Sequence, residues 1–245
     1  MKIVFLFCSM AVAALFSVPS PCRAETAAPV VQVEAVFVNA PPTLDGKLDS
    51  PAWRQVARSH KGIMAGWTTL GGGLAAANRI AYVCYDRDSL YIGVQCFTPD
   101  LYGLAAGTEA SPWSGDDVEV HINAPSGYYQ WGVDIENHVA VGRCRKTAPA
   151  FVAAANADLE AHEPTTPDPR GLAIRTATAY GRGQWDVEIA IAWKAIDLVA
   201  KPGAQMGFNL AASHAYQGKD GSPPLTWGPS YWVENNESEL VLGPQ

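Results

Sequence analysis

Short runs in which apolar and polar residues alternate recur along the chain, and turn residues separate them. In residues 117–123, Val118, Val120 and Ile122 alternate with acids, a histidine and an asparagine. Residues 185–193 show the same pattern, with tryptophan, valine and isoleucine on one side. Alternation with a period of two places the two sets of side chains on opposite faces of a β-strand. Many short strands of this kind with little helix predict an all-β fold, an antiparallel β-sandwich.

The predicted elements follow from this alternation and from the turn residues between the runs. Ser50 and Pro51 suit the N-cap and first position of a short helix, and residues 194–199 predict a second helical turn. Residues 148–170 lack alternation and are interpreted as a long connection. The predicted strands are Val30–Val38, Ile80–Tyr85, Leu90–Phe97, Asp117–Asn123, Tyr128–Ile135, Val139–Arg145, Leu172–Tyr180, Trp185–Trp193, Gly207–His214 and Glu239–Leu242.

The N-terminus has the features of a secretory signal. Lys2 is followed by an apolar run over residues 3–18 and by small residues up to Ala24. We therefore expect residues 1–24 to be a signal peptide and 25–245 to form a single β-sandwich domain that is secreted or periplasmic. The apolar run is too short for an ordinary membrane-spanning helix, and no later run is longer.

Composition excludes some classes of partner. The formal net charge is −7, which opposes binding to the phosphate backbone of a nucleic acid. Hydrophobic residues make up 48% of the chain, enough to form a core. We expect a monomer without a membrane span.

Three of the five cysteines follow the predicted signal peptide, namely Cys84, Cys96 and Cys144. A hairpin that turns at residues 86–89 pairs Cys84 with Tyr91 and places Cys96 on the other face. This register argues against a Cys84–Cys96 disulfide, and three buried thiols are expected instead.

A possible row of residues across three strands centres on Gly132. A four-residue turn at 124–127 pairs Glu119 with Gly132, and a two-residue turn at 137–138 would pair Gly132 with Arg143. A carboxylate and a guanidinium about 10 Å apart, two strand spacings, would then flank a hollow and could bind sugar hydroxyls from both sides. The alternative is a surface ion pair, with the glycine at a bulge.

Two tryptophans lie in predicted loops, Trp113 just before the acidic strand and Trp227 near the C-terminus. A sugar ring has an apolar face of C–H groups, which flat aromatic side chains contact well. The alternative for each tryptophan is a cover over the edge of the core.

The chain resembles the family 9 carbohydrate-binding modules, within the wider DOMON-like group of sandwiches. The resemblance covers nearly all of the chain after the signal. Ala192 departs from the pattern, because the family usually has proline there. The motifs that carry it are residues 44–53 (LDGKLDSPAW), the hairpin 81–97, 116–119 (DDVE), 183–191 (GQWDVEIAI), 207–210 (GFNL) and Trp227.

This resemblance implies a jelly-roll-like sandwich in which two tryptophan rings clamp a sugar, with Trp113 and Trp227 matching the rings and Glu119 the acid. Further polar contacts are implied for Arg143, Gln130 and Asn209, in that order. Some members of the family bind structural calcium, for which oxygens could come from Asp45, Asp49, Asp116 and Asp117.

Two rival functions remain open. Related DOMON-like sandwiches bind haem b, and the candidate axial ligands here are Met64, Met206, His121 and His214. A glycosidase would need a pair of carboxylates, and the candidates are Asp116, Asp117, Glu119, Asp186 and Glu188. The last two alternate along one strand and are interpreted as a solvated face. With no nucleophile elbow or HExxH motif, we expect a non-catalytic protein that binds a mono-, oligo- or polysaccharide.

Overall fold

The computed structural model describes residues 30–69, 72–73, 78–98, 103–144, 174–213, 224–229 and 238–245, with the backbone alone for 141–144. The predicted signal peptide and the predicted connection 148–170 lie outside the described residues. Within those ranges, no helix has the length and apolar character needed to cross a membrane.

The described part of the chain consists almost entirely of strands, as predicted, with one helix, α1 (Pro51–Ser59), and two short 3₁₀ turns (Pro112–Ser114 and Trp193–Ile196). The dipeptide strands β2, β3 and β12 were not predicted, because two residues show no alternation. The strands are β1 (Val31–Phe37), β2 (Ile63–Met64), β3 (Thr68–Thr69), β4 (Arg79–Tyr85), β5 (Ser89–Phe97), β6 (Asp117–Ala124), β7 (Gly127–Asp134), β8 (Val139–Cys144), β9 (Ile174–Gly181), β10 (Gln184–Ala192), β11 (Gln205–Ala212), β12 (Leu225–Thr226) and β13 (Ser238–Leu242).

The strands form a β-sandwich of two sheets that share strand β1. Sheet A has the order β8–β7–β6–β11–β13–β1, and sheet B has the order β1–β4–β5–β10–β9. Residues 31–35 of β1 pair with β13, and residues 36–37 pair with β4. Both pairings of β1 are parallel, whereas the remaining neighbours in this order are antiparallel, so the sheet is mixed.

The main core lies between the two sheets. Val118, Val120 and Ile122 of β6 are fully buried in it, as their alternation predicted, and they belong to one apolar cluster with Ile92 of β5 and Ile189 of β10. Polar residues of β6 therefore project from the other, outer face of sheet A.

The strand partners of the two cysteines confirm the predicted hairpin register. Cys84 pairs with Tyr91, and Cys96 pairs with Arg79. Cys96 lies in the core between the sheets, whereas Cys84 lies in a second apolar cluster on the outer face of sheet B. Both thiols are free and buried, and burial raises the pKa of Cys96 to about 12. The side chain of Cys144 lies outside the described residues.

A buried carboxylate closes the outer face of sheet B. Glu188 of β10 accepts hydrogen bonds from the Asp45 and Gly46 backbone N–H groups at 2.8 and 2.7 Å, and from the Trp53 indole N–H at 2.6 Å. The glutamate is fully buried, so its interpretation as part of a solvated face is wrong. Helix α1 and the turn before it cover this position, which strand alternation does not reveal.

Two glycines allow this close packing. Gly93 pairs with Glu188 across the sheet. A Cβ on Gly93 would lie 2.5 Å from the Leu48 side chain and 3.2 Å from the Trp53 ring. Gly46 has a φ of +78° and lies against the backbone of Thr178, so a turn glycine is required there.

Removing the charge of Glu188 is expected to destabilise the fold. Glu188→Gln places an amide N–H₂ against donors, and we expect the free energy of unfolding to fall by about 2–3 kcal/mol. Urea denaturation followed by circular dichroism measures this change. Asp186→Asn, two residues earlier on the same strand face and only half-buried, is the matched control. Equal effects of the two substitutions would contradict the role assigned to Glu188.

Asp186 is expected to make stability depend on pH. Burial is the main cause that raises the pKa of Asp186 from 3.8 to about 6, with a smaller contribution from Glu188. The folded state therefore holds this proton more tightly than the unfolded state, and the stabilisation is lost as pH rises from about 4 through 6. Relative to Asp186→Asn, the wild type should lose about 1–2 kcal/mol of unfolding free energy between pH 4 and pH 7. Parallel pH profiles of the two proteins in urea denaturation would disprove this assignment.

Candidate functional site

The outer face of sheet A carries rows of polar and small residues across neighbouring strands. Strands β6 and β7 pair Glu119 with Gly132 and His121 with Gln130, which confirms the predicted register. On the other side of β6, Ala211 of β11 pairs with Glu119. Glu119 is therefore flanked by glycine and alanine, which leaves space above its neighbours. In the next row Asn209 pairs with His121.

The Trp113 ring occupies the space above Gly132. A Cβ on this glycine would lie 2.5 and 2.6 Å from Cε3 and Cζ3 of the six-membered ring. Trp113 is half-buried and sits in the 3₁₀ turn that precedes β6, where Pro112 is buried. The Trp113 ring therefore fills the predicted hollow at Gly132, on the strand next to the one that carries Glu119.

The loop before Trp113 is held by two carboxylates at the end of sheet A. Asp116 accepts a hydrogen bond from the Ala105 N–H at 2.8 Å, and Asp134 accepts one from the Gly107 N–H at 2.9 Å. Backbone donors bound to buried acids restrain the loop, so the position of the Trp113 ring is set by the sheet.

Glu119 belongs to a buried polar network. The Gln130 side-chain amide donates to its Oε2 at 2.5 Å, and Nε2 of His121 lies 3.5 Å from the same oxygen. Nδ1 of His121 lies 2.8 Å from the hydroxyl of Tyr128. Glu119 as a whole is 2% exposed. Tyr128 was not predicted as a site residue, although it lies on the same face of β7 as Gln130.

Asp117, two residues before Glu119 on the same face, adds a second buried acid. Its Oδ1 accepts the Ser213 N–H at 2.7 Å. Burial raises the pKa of Asp117 well above its ordinary value, and the charge of Glu119 raises it further. Two neighbouring buried acids resist being ionised together.

Asn209 holds the segment that contains Trp227. Its amide donates to the Thr226 hydroxyl at 2.8 Å, and its carbonyl oxygen accepts the Gly228 N–H at 2.8 Å. The Trp227 backbone N–H donates to Leu210 at 3.0 Å. The half-buried Trp227 side chain packs against the core between the sheets. Its backbone is therefore next to the polar rows, while its ring contacts apolar neighbours.

The predicted row of Glu119, Gly132 and Arg143 is wrong. Gly132 pairs with Ala140, and Arg143 pairs with Tyr129, a residue of the core. The turn is longer than two residues because Asp134 stabilises it. Its Oδ1 accepts the backbone N–H groups of residues 136 and 138 at 3.0 and 2.9 Å. The resulting shift of three residues changes the face to which a position belongs.

The candidate calcium ligands are not gathered into one cluster in the described part of the chain. No group of three or more acidic, histidine or cysteine side chains there is placed to hold a metal ion. One oxygen each of Asp45, Asp116 and Asp117 accepts a backbone N–H instead. Structural calcium therefore stays a prediction.

The candidate haem ligands are also scattered. Met64 and Met206 both lie in the core between the sheets. His121 lies in the polar network on the outer face of sheet A, and His214 is outside the described residues.

The described chain is thus a two-sheet β-sandwich with a tryptophan beside buried polar side chains on the outer face of one sheet. The family model described as "Carbohydrate family 9 binding domain-like" matches residues 44–231. This span exceeds half of the chain, and the protein therefore belongs to that family.

Solved structures show the same fold at low sequence identity. A family 9 carbohydrate-binding module from Caldicellulosiruptor kristjanssonii in complex with cellotriose is 16% identical, with a TM-score of 0.59 over 87% of this chain and 94% of that chain. A module of this family from the same organism in complex with glucose is 16% identical, with a TM-score of 0.57 over 87% and 97%. No curated protein matches the chain.

Gly132 provides a test of the Trp113 position. Gly132→Ala is expected to displace the ring, because the new methyl group would lie 2.5 Å from it. Near-ultraviolet circular dichroism should change while the far-ultraviolet spectrum keeps its β-sheet form. In the control Gly181→Ala, the nearest atom is at 3.1 Å and belongs to the side chain of Gln184, which can move. An unchanged near-ultraviolet spectrum in Gly132→Ala would contradict the contact.

Proposed function

We propose that the protein is a non-catalytic carbohydrate-binding protein that holds a sugar on the outer face of sheet A. One observation carries this proposal. The Trp113 ring packs over Gly132, beside the hydrogen-bonded and buried side chains of Glu119 and Gln130. An aromatic surface next to planar polar groups complements a pyranose, which has an apolar face and a rim of hydroxyls.

The polar groups have complementary roles toward hydroxyls. An ionised Glu119 can only accept hydrogen bonds, whereas the amides of Gln130 and Asn209 can donate and accept. Bonds from hydroxyls to a carboxylate are charge-assisted and stronger than those between neutral groups. Trp227 is the proposed second ring and must turn from its contacts with the core to reach the sugar.

The relatives suggest which sugars to test first. The solved modules of this family contain cellotriose and glucose, so glucose and β-linked glucose oligosaccharides are the first ligands to test. Arg143 remains a proposed contact on the basis of the family resemblance. Secretion and cleavage after Ala24 are also proposed, and N-terminal sequencing of the exported protein tests them.

Calorimetric titration with glucose and cellotriose tests the proposed site. Trp113→Ala should weaken binding about 10- to 100-fold, since the stacking of a nucleic-acid base on an aromatic side chain, a comparable contact, contributes roughly 1–3 kcal/mol. Trp227→Ala should weaken binding by a similar factor, and its unfolding free energy is measured in parallel because the ring also contacts the core.

The control is Tyr82→Ala, a partly buried aromatic residue on the outer face of sheet B. It should bind like the wild type. Unchanged affinity in both tryptophan variants would refute the site. Release of the aryl group from aryl glycosides by the wild type, abolished in Glu119→Gln, would refute the non-catalytic assignment.

A further inference from the structure

A closed network of three hydrogen bonds surrounds the backbone of Trp227. The side-chain amide of Asn209 donates to the Thr226 hydroxyl at 2.8 Å, and that hydroxyl donates to the carbonyl oxygen of Gly228 at 3.3 Å. The Gly228 N–H donates back to the carbonyl oxygen of the Asn209 side chain at 2.8 Å. This set of bonds, the Asn209 network, joins the residues on both sides of Trp227 to one side chain of β11.

The Asn209 network is buried and closely packed. Asn209 is fully buried, and Thr226 and Gly228 are buried with it. A Cβ on Gly228 would lie 2.8 Å from Oγ of Ser238 and 3.1 Å from Oδ1 of Asn209, so glycine allows the backbone to approach this closely. Because buried polar groups that lose their partners are costly, a closed network of them holds one arrangement.

Two further contacts fix the same segment on β11. Thr226 pairs with Ala211, and the Trp227 backbone N–H donates to the carbonyl oxygen of Leu210 at 3.0 Å. The backbone around Trp227 is thus bound to three consecutive residues of β11. The Trp227 side chain, which is half-buried and packs against the core, can still change its rotamer without breaking these bonds.

We propose that Asn209 is a positioning residue that acts on the sugar through Trp227. The inference rests on the proposed function, in which Trp227 is the second aromatic ring. Since the Asn209 network holds the backbone, the Trp227 side chain reaches the sugar by a change of rotamer alone. Less of the chain then has to be ordered on binding, which favours affinity.

A direct contact between Asn209 and the sugar, which the family resemblance implies, predicts a different behaviour. The amide oxygen of Asn209 accepts a backbone N–H, as the carboxylates of Glu188 and Asp134 do. Rotating the amide toward a sugar hydroxyl would break two buried hydrogen bonds. The two roles can be separated by experiment, because only the indirect role depends on Trp227.

A double-mutant cycle with Asn209→Ala and Trp227→Ala tests the proposal, with cellotriose affinity measured by calorimetric titration of the purified, folded protein. Asn209→Ala alone should weaken binding about three- to tenfold, a coupling typical of residues in one network. In the Trp227→Ala background the same substitution should change the affinity less than about twofold. An equal loss in both backgrounds would indicate direct contact and overturn the proposal.

Thr226 provides a second test that leaves Asn209 in place. Thr226→Val removes the hydroxyl at nearly constant shape and should weaken cellotriose binding about two- to tenfold. Thr226→Ser keeps the hydroxyl and should bind like the wild type. Wild-type affinity in Thr226→Val, or equal weakening in both variants, would overturn the proposal. This pair decides if Asn209→Ala fails to fold or if the double variant binds too weakly to measure.

The matched control is Asn123→Ala. Asn123 is a half-buried asparagine on the same outer face of sheet A, where it pairs with Gly207. Asn123→Ala should bind like the wild type, and a loss as large as that of Asn209→Ala would overturn the proposal.

The same titrations separate this inference from the proposed function. Wild-type affinity of Trp227→Ala for both glucose and cellotriose would refute the role of Trp227 in sugar binding and, with it, the role of Asn209. Weaker binding by Trp227→Ala together with additive effects of the two substitutions would overturn only the role of Asn209.

Discussion

The hydrogen bonds of the Glu188 carboxylate join two parts of the chain that are far apart in sequence. They connect β10 to the turn at residues 45–46 and to α1 through Trp53. Two of the motifs behind the family resemblance, residues 44–53 and 183–191, are therefore one physical unit. This unit covers the outer face of sheet B, which is one reason why the proposed sugar site lies among the polar rows on the outer face of sheet A.

Asp134 has a corresponding role on sheet A. Its carboxylate accepts the Gly107 N–H and two N–H groups of the following turn, and it also contacts the His138 ring at 2.9 Å. That hydrogen bond raises the pKa of His138. One acid thus sets both the length of the β7–β8 turn and the course of the loop that leads to Trp113. The aromatic ring stands over Gly132 because the end of sheet A is fixed in this way.

Local pattern predicted the strands and the β6–β7 register, since the alternation on both strands agreed with a four-residue turn. The β7–β8 register was not predicted, because the bonds that lengthen its turn come from the side chain of Asp134. Val139 and Val141 alternate in step with Arg143 along β8, and both pair with core residues. Their apolar character already indicated that position 143 belongs to the core face of the strand. The burial of Glu188 depends on α1, and no strand pattern contains that information. The contact between the Trp113 ring and Gly132 also depends on tertiary structure, so the local sequence around either residue could not predict it.

The hydrogen-bond partners of a buried acid indicate whether it stabilises the fold or is able to bind a ligand. Glu188 and Asp134 accept backbone N–H groups, whose positions the fold fixes, so replacing these partners with a ligand would require the turns to unfold. Glu119 is bonded to the side chain of Gln130 and lies near the ring of His121, and side chains can change rotamer without loss of strand pairing. A hydroxyl can therefore join the Glu119 network at a lower cost than it could displace a turn. This difference, together with the adjoining Trp113 ring, is the physical reason for placing the sugar at Glu119 and for assigning Glu188 to the scaffold.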